Sequence, residues 1–157
     1  MDTPADNPAV VAPPPLLYGA AFVLVLLLRW FWPMPIFGHA ALWPGIALVV
    51  IGLGIMLWGG ATMRAAGTNV NPALPTTSIV TSGPFRLSRN PLYVAVTLLY
   101  FGLILALNTW WGIVMLIPLL IIMHFGVVLR EERYLEEKFG DEYRRYKARV
   151  ARYLLLL

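Results

Sequence analysis

Two polar clusters interrupt a long apolar chain, and their residue types can bind charged groups. The first is the segment TSGPFRLSRNPLY, residues 81–93, which places two arginines and an asparagine between apolar runs. The second is the carboxylate pair Glu131 and Glu132, which follows the apolar run 110–129. Guanidinium groups bind carboxylates, and carboxylates bind cations. Each cluster is therefore either part of a ligand site or one half of a structural ion pair.

The two clusters are predicted to lie at the same end of a helical hairpin. Residues 92–107 and 110–129 are predicted transmembrane helices joined by a tight turn, so the start of one lies beside the end of the other. Arg89 should then approach the carboxylate pair. One explanation is a structural salt bridge between Arg89 and one glutamate. Asn90 and Pro91 likewise suit the N-cap and first turn of a helix.

Composition decides the fold class that must position these clusters. The chain has 157 residues, of which 59% are hydrophobic and 13% charged. Such a balance predicts an all-α polytopic membrane protein rather than a soluble domain. A bilayer core of about 30 Å needs about 20 apolar helical residues, so the length allows about four crossings. The predicted transmembrane helices are residues 16–32, 40–62, 92–107 and 110–129.

The two ends of the chain are predicted to differ. Residues 1–15 are rich in proline and contain no Lys or Arg, which indicates a disordered tail. Residues 16–157 are predicted to form a single membrane-embedded domain. Its last part, residues 130–157, carries an apolar and aromatic stripe at helical spacing and is predicted to be a cytosolic amphipathic helix, which Gly140 breaks or bends.

Charge sets the predicted orientation in the bilayer. Apart from Arg29, the basic residues lie in the loop between the second and third helices or after the fourth helix. The positive-inside rule therefore predicts that the middle loop, the C-terminus and the N-terminus are all cytosolic. Within the bilayer, Pro118 should kink the fourth helix or mark a packing adjustment. The glycines of the second helix should allow another helix to approach closely; they are Gly52, Gly54, Gly59 and Gly60.

Several functional classes lack the residues they need. The chain has no cysteine and only two histidines, His39 and His124, so neither thiolate chemistry nor a metal site is expected. A transporter usually carries polar side chains at mid-depth, and the predicted helices contain few besides His124 and Thr97. Membrane lipids and a lipophilic small molecule are the expected partners, and nucleic acid is not.

Two motifs in order give a resemblance to a known family. The segment T-S-G-P-F-R-x-x-R-N-P-x-Y is followed by two predicted helices and then by E-E-x-x-L-x-x-x-F-G-x-E-Y-x-x-Y-x-x-x-V. Together they resemble the isoprenylcysteine carboxyl methyltransferase and phospholipid methyltransferase group of integral-membrane enzymes, over residues 67–150. The resemblance implies an S-adenosylmethionine-dependent methyltransferase in the cytoplasmic membrane of a bacterium. Its acceptor would be a lipophilic carboxylate, amine or thiol that enters from the lipid.

The resemblance also implies roles for individual residues. Arg89 and Glu131 would position the reacting groups, with Glu131 holding the amino end of the cofactor. Arg130 and His124 are the candidates for substrate binding. The positions implied for cofactor binding are Thr77, Ser78, Ile79, Val80, Phe85, Asn90, Pro91, Leu92, Tyr93 and Glu131.

This chain departs from the family pattern at two positions. Asn90 stands where eukaryotic members have a histidine, which keeps a hydrogen-bonding group but loses a titratable one. Val127 stands where the carboxyl methyltransferases have an arginine for the carboxylate of the acceptor. A prenylcysteine acceptor is therefore not expected. The alternative hypothesis is a non-catalytic four-helix membrane protein of the same fold that binds a lipid or a partner.

Overall fold

The structure, a computed structural model, describes residues 6–36, 38–72 and 74–154. Its regular secondary structure in these ranges is all helical, with no strand there, as the composition predicts. The α-helices are α1 Pro14–Phe31, α2 Leu42–Ala65, α3 Pro91–Ala106, α4 Trp110–Ile122, α5 Leu129–Phe139 and α6 Asp141–Lys147. A π-helical segment, Met123–Val128, joins α4 to α5, and short 3-10 turns cover Gly38–Ala41 and Gly83–Arg86.

Three helical stretches are long and apolar enough to cross a membrane: Pro14–Phe31, Leu42–Ala65 and the continuous stretch Trp110–Phe139. The remaining apolar helix, α3, has 16 residues and is about 24 Å long at 1.5 Å per residue. Large apolar side chains cover the outer surface; Trp43 is 74% exposed and Leu57 is 68% exposed. A surface of this kind is suited to lipid rather than water. The prediction of an integral membrane protein with about four apolar helices is confirmed.

Glycines bring α2 and α3 into close contact. A Cβ atom on Gly45 would lie 2.6 Å from the carbonyl oxygen of Gly102, and one on Gly52 would lie 2.9 Å from that of Ala95. Gly59 packs in the same way against the Leu92 side chain. These three glycines recur every seventh residue and form one stripe along α2. The predicted close approach is confirmed for two of the four glycines proposed from the sequence.

The other two predicted glycines have different surroundings. A Cβ atom on Gly54 would meet nothing within 4 Å, and one on Gly60 would approach only the Arg64 side chain of the same helix. Composition alone could not separate these positions from Gly45, Gly52 and Gly59, because the distinction is the direction in which each residue faces around the helix.

Helices α1, α3 and α4 enclose an apolar core. Its buried members are Tyr18, Val25, Tyr100, Ile104, Leu119, Met123 and Val127. The predicted tight turn follows α3, where Asn108 adopts a left-handed backbone with φ of 51°. Pro118 stays inside α4, and the departure from α-helical geometry begins at Met123. The last two helical turns before α5 are therefore wider than those of an α-helix.

The C-terminal part is more divided than the predicted single amphipathic helix. Helix α5 ends at Phe139, and Gly140 has a φ of 52°, so the chain turns sharply before α6. The predicted break at this glycine is confirmed. After α6 the helix stops, and residues 148–154, here called the C-terminal strap, cross back over the start of α3. Residues 155–157 lie outside the described ranges.

The N-terminal segment 6–13, part of the stretch predicted to be a disordered tail, lies along α5 in the structure. Lys138 contacts the carboxylate of Asp6 at 2.7 Å, and the guanidinium of Arg130 donates to the Ala9 carbonyl at 2.9 Å. The partners are about 120 residues away in sequence, so composition could not indicate these contacts. Residues 1–5 of the predicted tail lie outside the described ranges.

Candidate functional site

The two polar clusters meet where α3 begins and α5 begins. Arg89 Nη1 lies 3.0 Å from Glu132 Oε1, and both side chains are less than 10% exposed. Arg152 from the C-terminal strap binds the same carboxylate through Nε and Nη2, each at 3.0 Å. The expected ion pair of Arg89 with one glutamate is thus present, and the glutamate is Glu132. Because one carboxylate balances two guanidinium groups, this junction keeps a net positive charge.

Tyr143 of α6 completes this buried junction. Its hydroxyl accepts a hydrogen bond from Arg89 Nη1 at 3.3 Å, and its ring is 2% exposed. Burial raises the pKa of Tyr143 to about 12, and the nearby Glu132 charge acts in the same direction. Tyr143 is therefore a neutral phenol at physiological pH.

The C-terminal strap is bound to the start of α3 by backbone and side-chain hydrogen bonds. Arg89 N donates to the Ala151 carbonyl at 2.9 Å. Ser88 Oγ and Asn90 Nδ2 both donate to the Arg152 carbonyl at 3.1 Å. The strap is thereby held across the segment that begins α3.

Asn90 occupies the N-cap position of α3, but its side chain makes no capping bond. The predicted start of α3 at Asn90, with Pro91 in the first turn, is confirmed by position. The side-chain amide bonds instead to the C-terminal strap through Nδ2. The residue type favours a cap, but it cannot indicate a hydrogen-bond partner from the far end of the chain.

Glu131 points to a different side of α5 from Glu132, since neighbouring helical residues are separated by about 100°. Its Oε2 accepts a hydrogen bond of 2.6 Å from the Tyr93 hydroxyl. The two adjacent glutamates therefore have separate partners. Glu132 belongs to the buried ion network, and Glu131 belongs to a tyrosine pair.

A second polar contact follows one turn further along α3. Thr97 Oγ1 donates to the Tyr93 carbonyl at 2.7 Å. Its only proton is used in that bond, so the 2.6 Å contact with the Tyr18 hydroxyl is one in which Tyr18 donates. These bonds attach α1 to α3. Together with the Tyr93–Glu131 bond, they fix the hydroxyl groups of Tyr18, Tyr93 and Thr97.

These hydroxyl groups border a cavity of about 480 Å³. It lies between α1, α3, the α4–π stretch and the C-terminal strap, and its walls are mainly apolar. The lining residues are Tyr18, Tyr93, Val94, Thr97, Leu98, Leu120, Met123, His124, Val128, Tyr153 and Leu154. No Lys, Arg, Asp or Glu is among these described lining residues. The size and the few polar groups are typical of a small-molecule site.

His124 is the one imidazole in the cavity lining. Its Nδ1 lies 3.0 Å from the Tyr153 hydroxyl, and its ring meets Phe125 edge-on with centroids 4.8 Å apart. A histidine of the π-helical segment is thus held by the C-terminal strap. The position of His124, about one and a half turns below Arg130, predicts either a side chain that faces the acceptor or one that only hydrogen-bonds a neighbouring helix, and it does line this cavity.

The predicted cofactor residues fall into separate places. Thr77 and Ser78 bond to the backbone just after α2, at the Gly67 and Ala66 carbonyls. Phe85 is buried, and its carbonyl accepts from the Tyr146 hydroxyl at 2.7 Å. Four more positions are partly or fully buried, two in the loop after α2 and two in the first turn of α3, namely Ile79, Val80, Pro91 and Leu92. Of the ten predicted residues, only Tyr93 is among the described residues that line the cavity. The Glu131 carboxylate accepts a hydrogen bond from the Tyr93 hydroxyl.

Two other predicted residues are already engaged elsewhere. Arg89 is paired with Glu132, and Arg130 faces the N-terminal segment through the Ala9 carbonyl. Val127, which replaces the family's arginine, is fully buried in the core. None of these three residues is among those that line the cavity.

Sequence reasoning missed the partners that complete the site. Tyr18 and Arg152 come from the two ends of the described chain, and each bonds to a group near α3 or α5. For Tyr143 and Tyr153 a signal was present, since both belong to the aromatic stripe predicted for the C-terminal helix. For Tyr18 and Arg152 the sequence carries no comparable local signal.

Comparison with known proteins matches the middle of the chain. A family model described as phospholipid methyltransferase matches residues 40–142. A protein described as uncharacterized, from Haemophilus influenzae, is 56% identical over 45 residues, which are 29% of this chain and 67% of that protein. No solved structure matches the chain. The matched residues 40–142 run from α2 into α6 and include Tyr93, Glu131 and Glu132.

Proposed function

The chain belongs to the phospholipid methyltransferase family, and from this premise we propose that it is an S-adenosylmethionine-dependent methyltransferase. Its acceptor is a small lipophilic molecule reached from the bilayer. The observation that carries the proposal is the Tyr93–Glu131 hydrogen bond beside an apolar cavity among the membrane helices. Family membership supports the reaction type, and the cavity supports an acceptor that is soluble in lipid.

The residues around Tyr93 fit the charged groups of the cofactor. One oxygen of Glu131 accepts from Tyr93, which orients the carboxylate and leaves the other oxygen for an ammonium group. The Tyr93 ring can stabilise a methylsulfonium cation. Arg89 is engaged by Glu132, so Arg86, exposed on the preceding turn, is the arginine of this cluster that can meet the methionyl carboxylate.

Methyl transfer needs alignment and a dry cavity more than acid–base machinery. When bound, the cofactor supplies a methyl group activated by a positively charged sulfur. Apolar side chains such as Val94, Leu98 and Met123 line the cavity and exclude water from it. The Thr97 and Tyr18 hydroxyls are fixed by their mutual bond, which gives the acceptor a defined set of polar contacts.

The proposed topology sets the middle loop and the C-terminal strap on the cytosolic side of a bacterial cytoplasmic membrane. It is supported by the basic residues of both segments and by the bonds between the strap and Arg89. Because the chain has no cysteine, a cysteine introduced at Arg149 can report the orientation. An impermeant maleimide should label it in inside-out vesicles, and labelling in intact cells would contradict the topology.

Binding of the cofactor is the first test. Purified protein in detergent should bind S-adenosylmethionine or its demethylated product in calorimetry. Glu131→Gln should weaken that binding about 10- to 100-fold, since a bond to a charged group contributes roughly 1.5–3 kcal/mol. Glu136→Gln is the matched control, because Glu136 pairs with Lys147 on the exposed surface. Equal effects of the two substitutions would contradict the assignment of Glu131.

The same measurement separates the enzyme from a non-catalytic relative. A protein that shows no binding of either ligand at millimolar concentration is not a methyltransferase of this type. If binding is observed, incubation with labelled cofactor and a lipid extract from the host should transfer the label to a lipophilic product. Identification of that product then names the acceptor.

A further inference from the structure

The lining of the cavity restricts the charge of the acceptor. No Lys or Arg is among the described residues that line it, and the guanidinium groups of Arg89 and Arg152 are directed to Glu132. A carboxylate in this cavity would be buried without a cation, which is strongly unfavourable. An acceptor of the carboxylate class is therefore disfavoured.

An ammonium group has the same difficulty. No Asp or Glu is among the described lining residues, and the neighbouring Glu131 already accepts from Tyr93. In the proposed function this carboxylate holds the amino end of the cofactor. A cationic amine in the cavity would thus have no counter-ion of its own, and an uncharged reactive group fits the cavity best.

His124 supplies an imidazole to the described lining, and a neutral imidazole can act as a general base. Its Nδ1 is 3.0 Å from the Tyr153 hydroxyl, which fixes the ring. In the tautomer that donates Nδ1–H to Tyr153, Nε2 is an acceptor. The ring also contacts Phe125 edge-on. Two contacts therefore define the orientation of the imidazole.

We propose that the cavity takes an uncharged lipophilic acceptor whose reactive group is a thiol or a phenolic hydroxyl, and that His124 receives its proton. This inference rests on the proposed function. The sulfur or oxygen of the acceptor forms a bond to the methyl carbon, and its proton passes to Nε2 of His124. The electron pair of the broken carbon–sulfur bond stays on the departing sulfur, which becomes a neutral thioether. Tyr153 acts as a positioning residue through the imidazole.

The test compares four single-chain compounds with labelled cofactor: dodecanethiol, para-octylphenol, dodecylamine and dodecanoate. The thiol or the phenol should be methylated, and the amine and the carboxylate should react at least about 100-fold more slowly, a difference that buried unpaired charges readily produce. Without cofactor, para-octylphenol should raise the thermal unfolding midpoint of the protein, and dodecanoate should not.

Variants test the role of the imidazole. His124→Gln should lower kcat about 100-fold, the usual contribution of a positioned proton acceptor, with cofactor binding unchanged within twofold. Tyr153→Phe should lower kcat about 10-fold and leave the KM of the acceptor within twofold, because the ring loses its hydrogen bond but keeps its proton acceptor. Added imidazole should restore part of the activity of His124→Gly. Ile117→Val, at a side chain exposed to lipid, is the control and should behave as the wild type.

Three outcomes would contradict the inference. It is wrong if the amine or the carboxylate is methylated faster than both neutral compounds, or if His124→Gln keeps kcat within twofold of the wild type. It is also wrong if a protein that binds the cofactor methylates none of the four compounds. Failure to bind the cofactor at all is a different result, which removes the proposed function itself.

Discussion

The two sides of α3 are built in different ways. Towards α2, small residues let the backbones meet, with Gly45 against Gly102 and Gly52 against Ala95. Towards α1, α4 and the C-terminal strap, an apolar core is joined by hydrogen bonds and ion pairs, and a cavity of about 480 Å³ remains between these elements. Close packing leaves no space for a ligand, and polar bonds hold elements together at longer range. One side of α3 is thus closely packed against α2, and the other side borders the cavity.

The largest effect on stability is expected from the ion pairs of Glu132, which hold the C-terminal strap against the start of α3. Glu132→Gln removes the charge that binds Arg89 and Arg152, and breaking a buried pair costs about 3–5 kcal/mol. Thermal unfolding in detergent should show this loss, and the strap should become accessible to protease. Glu136→Gln, which breaks the more exposed pair with Lys147, should change the unfolding free energy by less than about 1 kcal/mol. Similar losses in both variants would show that the buried network does not hold the strap.

The next largest effect on stability concerns the close packing of α2 against α3. Gly45→Ala should destabilise the protein by about 1–3 kcal/mol, because the added methyl group overlaps the Gly102 carbonyl of α3. Gly54→Ala lies in the same helix and meets no atom within 4 Å. It should leave the unfolding free energy unchanged or raise it by up to about 1 kcal/mol through helix propensity. Equal unfolding midpoints for the two variants would contradict the glycine stripe.

The smallest effect concerns the hydroxyl bonds that border the cavity. Tyr18→Phe removes the 2.6 Å bond to Thr97 and should cost about 0.5–1.5 kcal/mol. Tyr100→Phe removes a longer bond, 3.4 Å, to the Gly112 carbonyl, while the edge-on contact of the two rings persists. Its loss in unfolding free energy should be smaller. A larger loss of unfolding free energy for Tyr100→Phe would show that the Tyr18–Thr97 hydrogen bond is not the stronger of the two.

The sequence predicted the parts of this arrangement that follow from helix periodicity and from the order of the elements. The hairpin of α3 and α4 implied that Arg89 meets a glutamate, and the glycine content of α2 implied close packing. The sequence did not distinguish Glu131 from Glu132 or Gly45 from Gly54, because each choice depends on the rotation of a helix about its axis. The C-terminal strap was missed because Ser88 and Asn90 both donate to one backbone carbonyl of the strap, that of Arg152, and any residue type provides such a group.

The π-helical segment Met123–Val128 has a consequence for how sequences of this kind can change. A π-helical turn contains one residue more than an α-helical turn, so it is equivalent to a single inserted residue that the helix has absorbed. Deleting one residue there would restore α-helical geometry and leave the directions of the residues that follow nearly unchanged relative to α4. A deletion in the regular part of α4 would instead rotate those residues by about 100°, and Glu132 would take the approximate direction that Glu131 has now. The phase between the cavity and the carboxylates thus depends on the length of the helix and on whether a wide turn absorbs a change in that length.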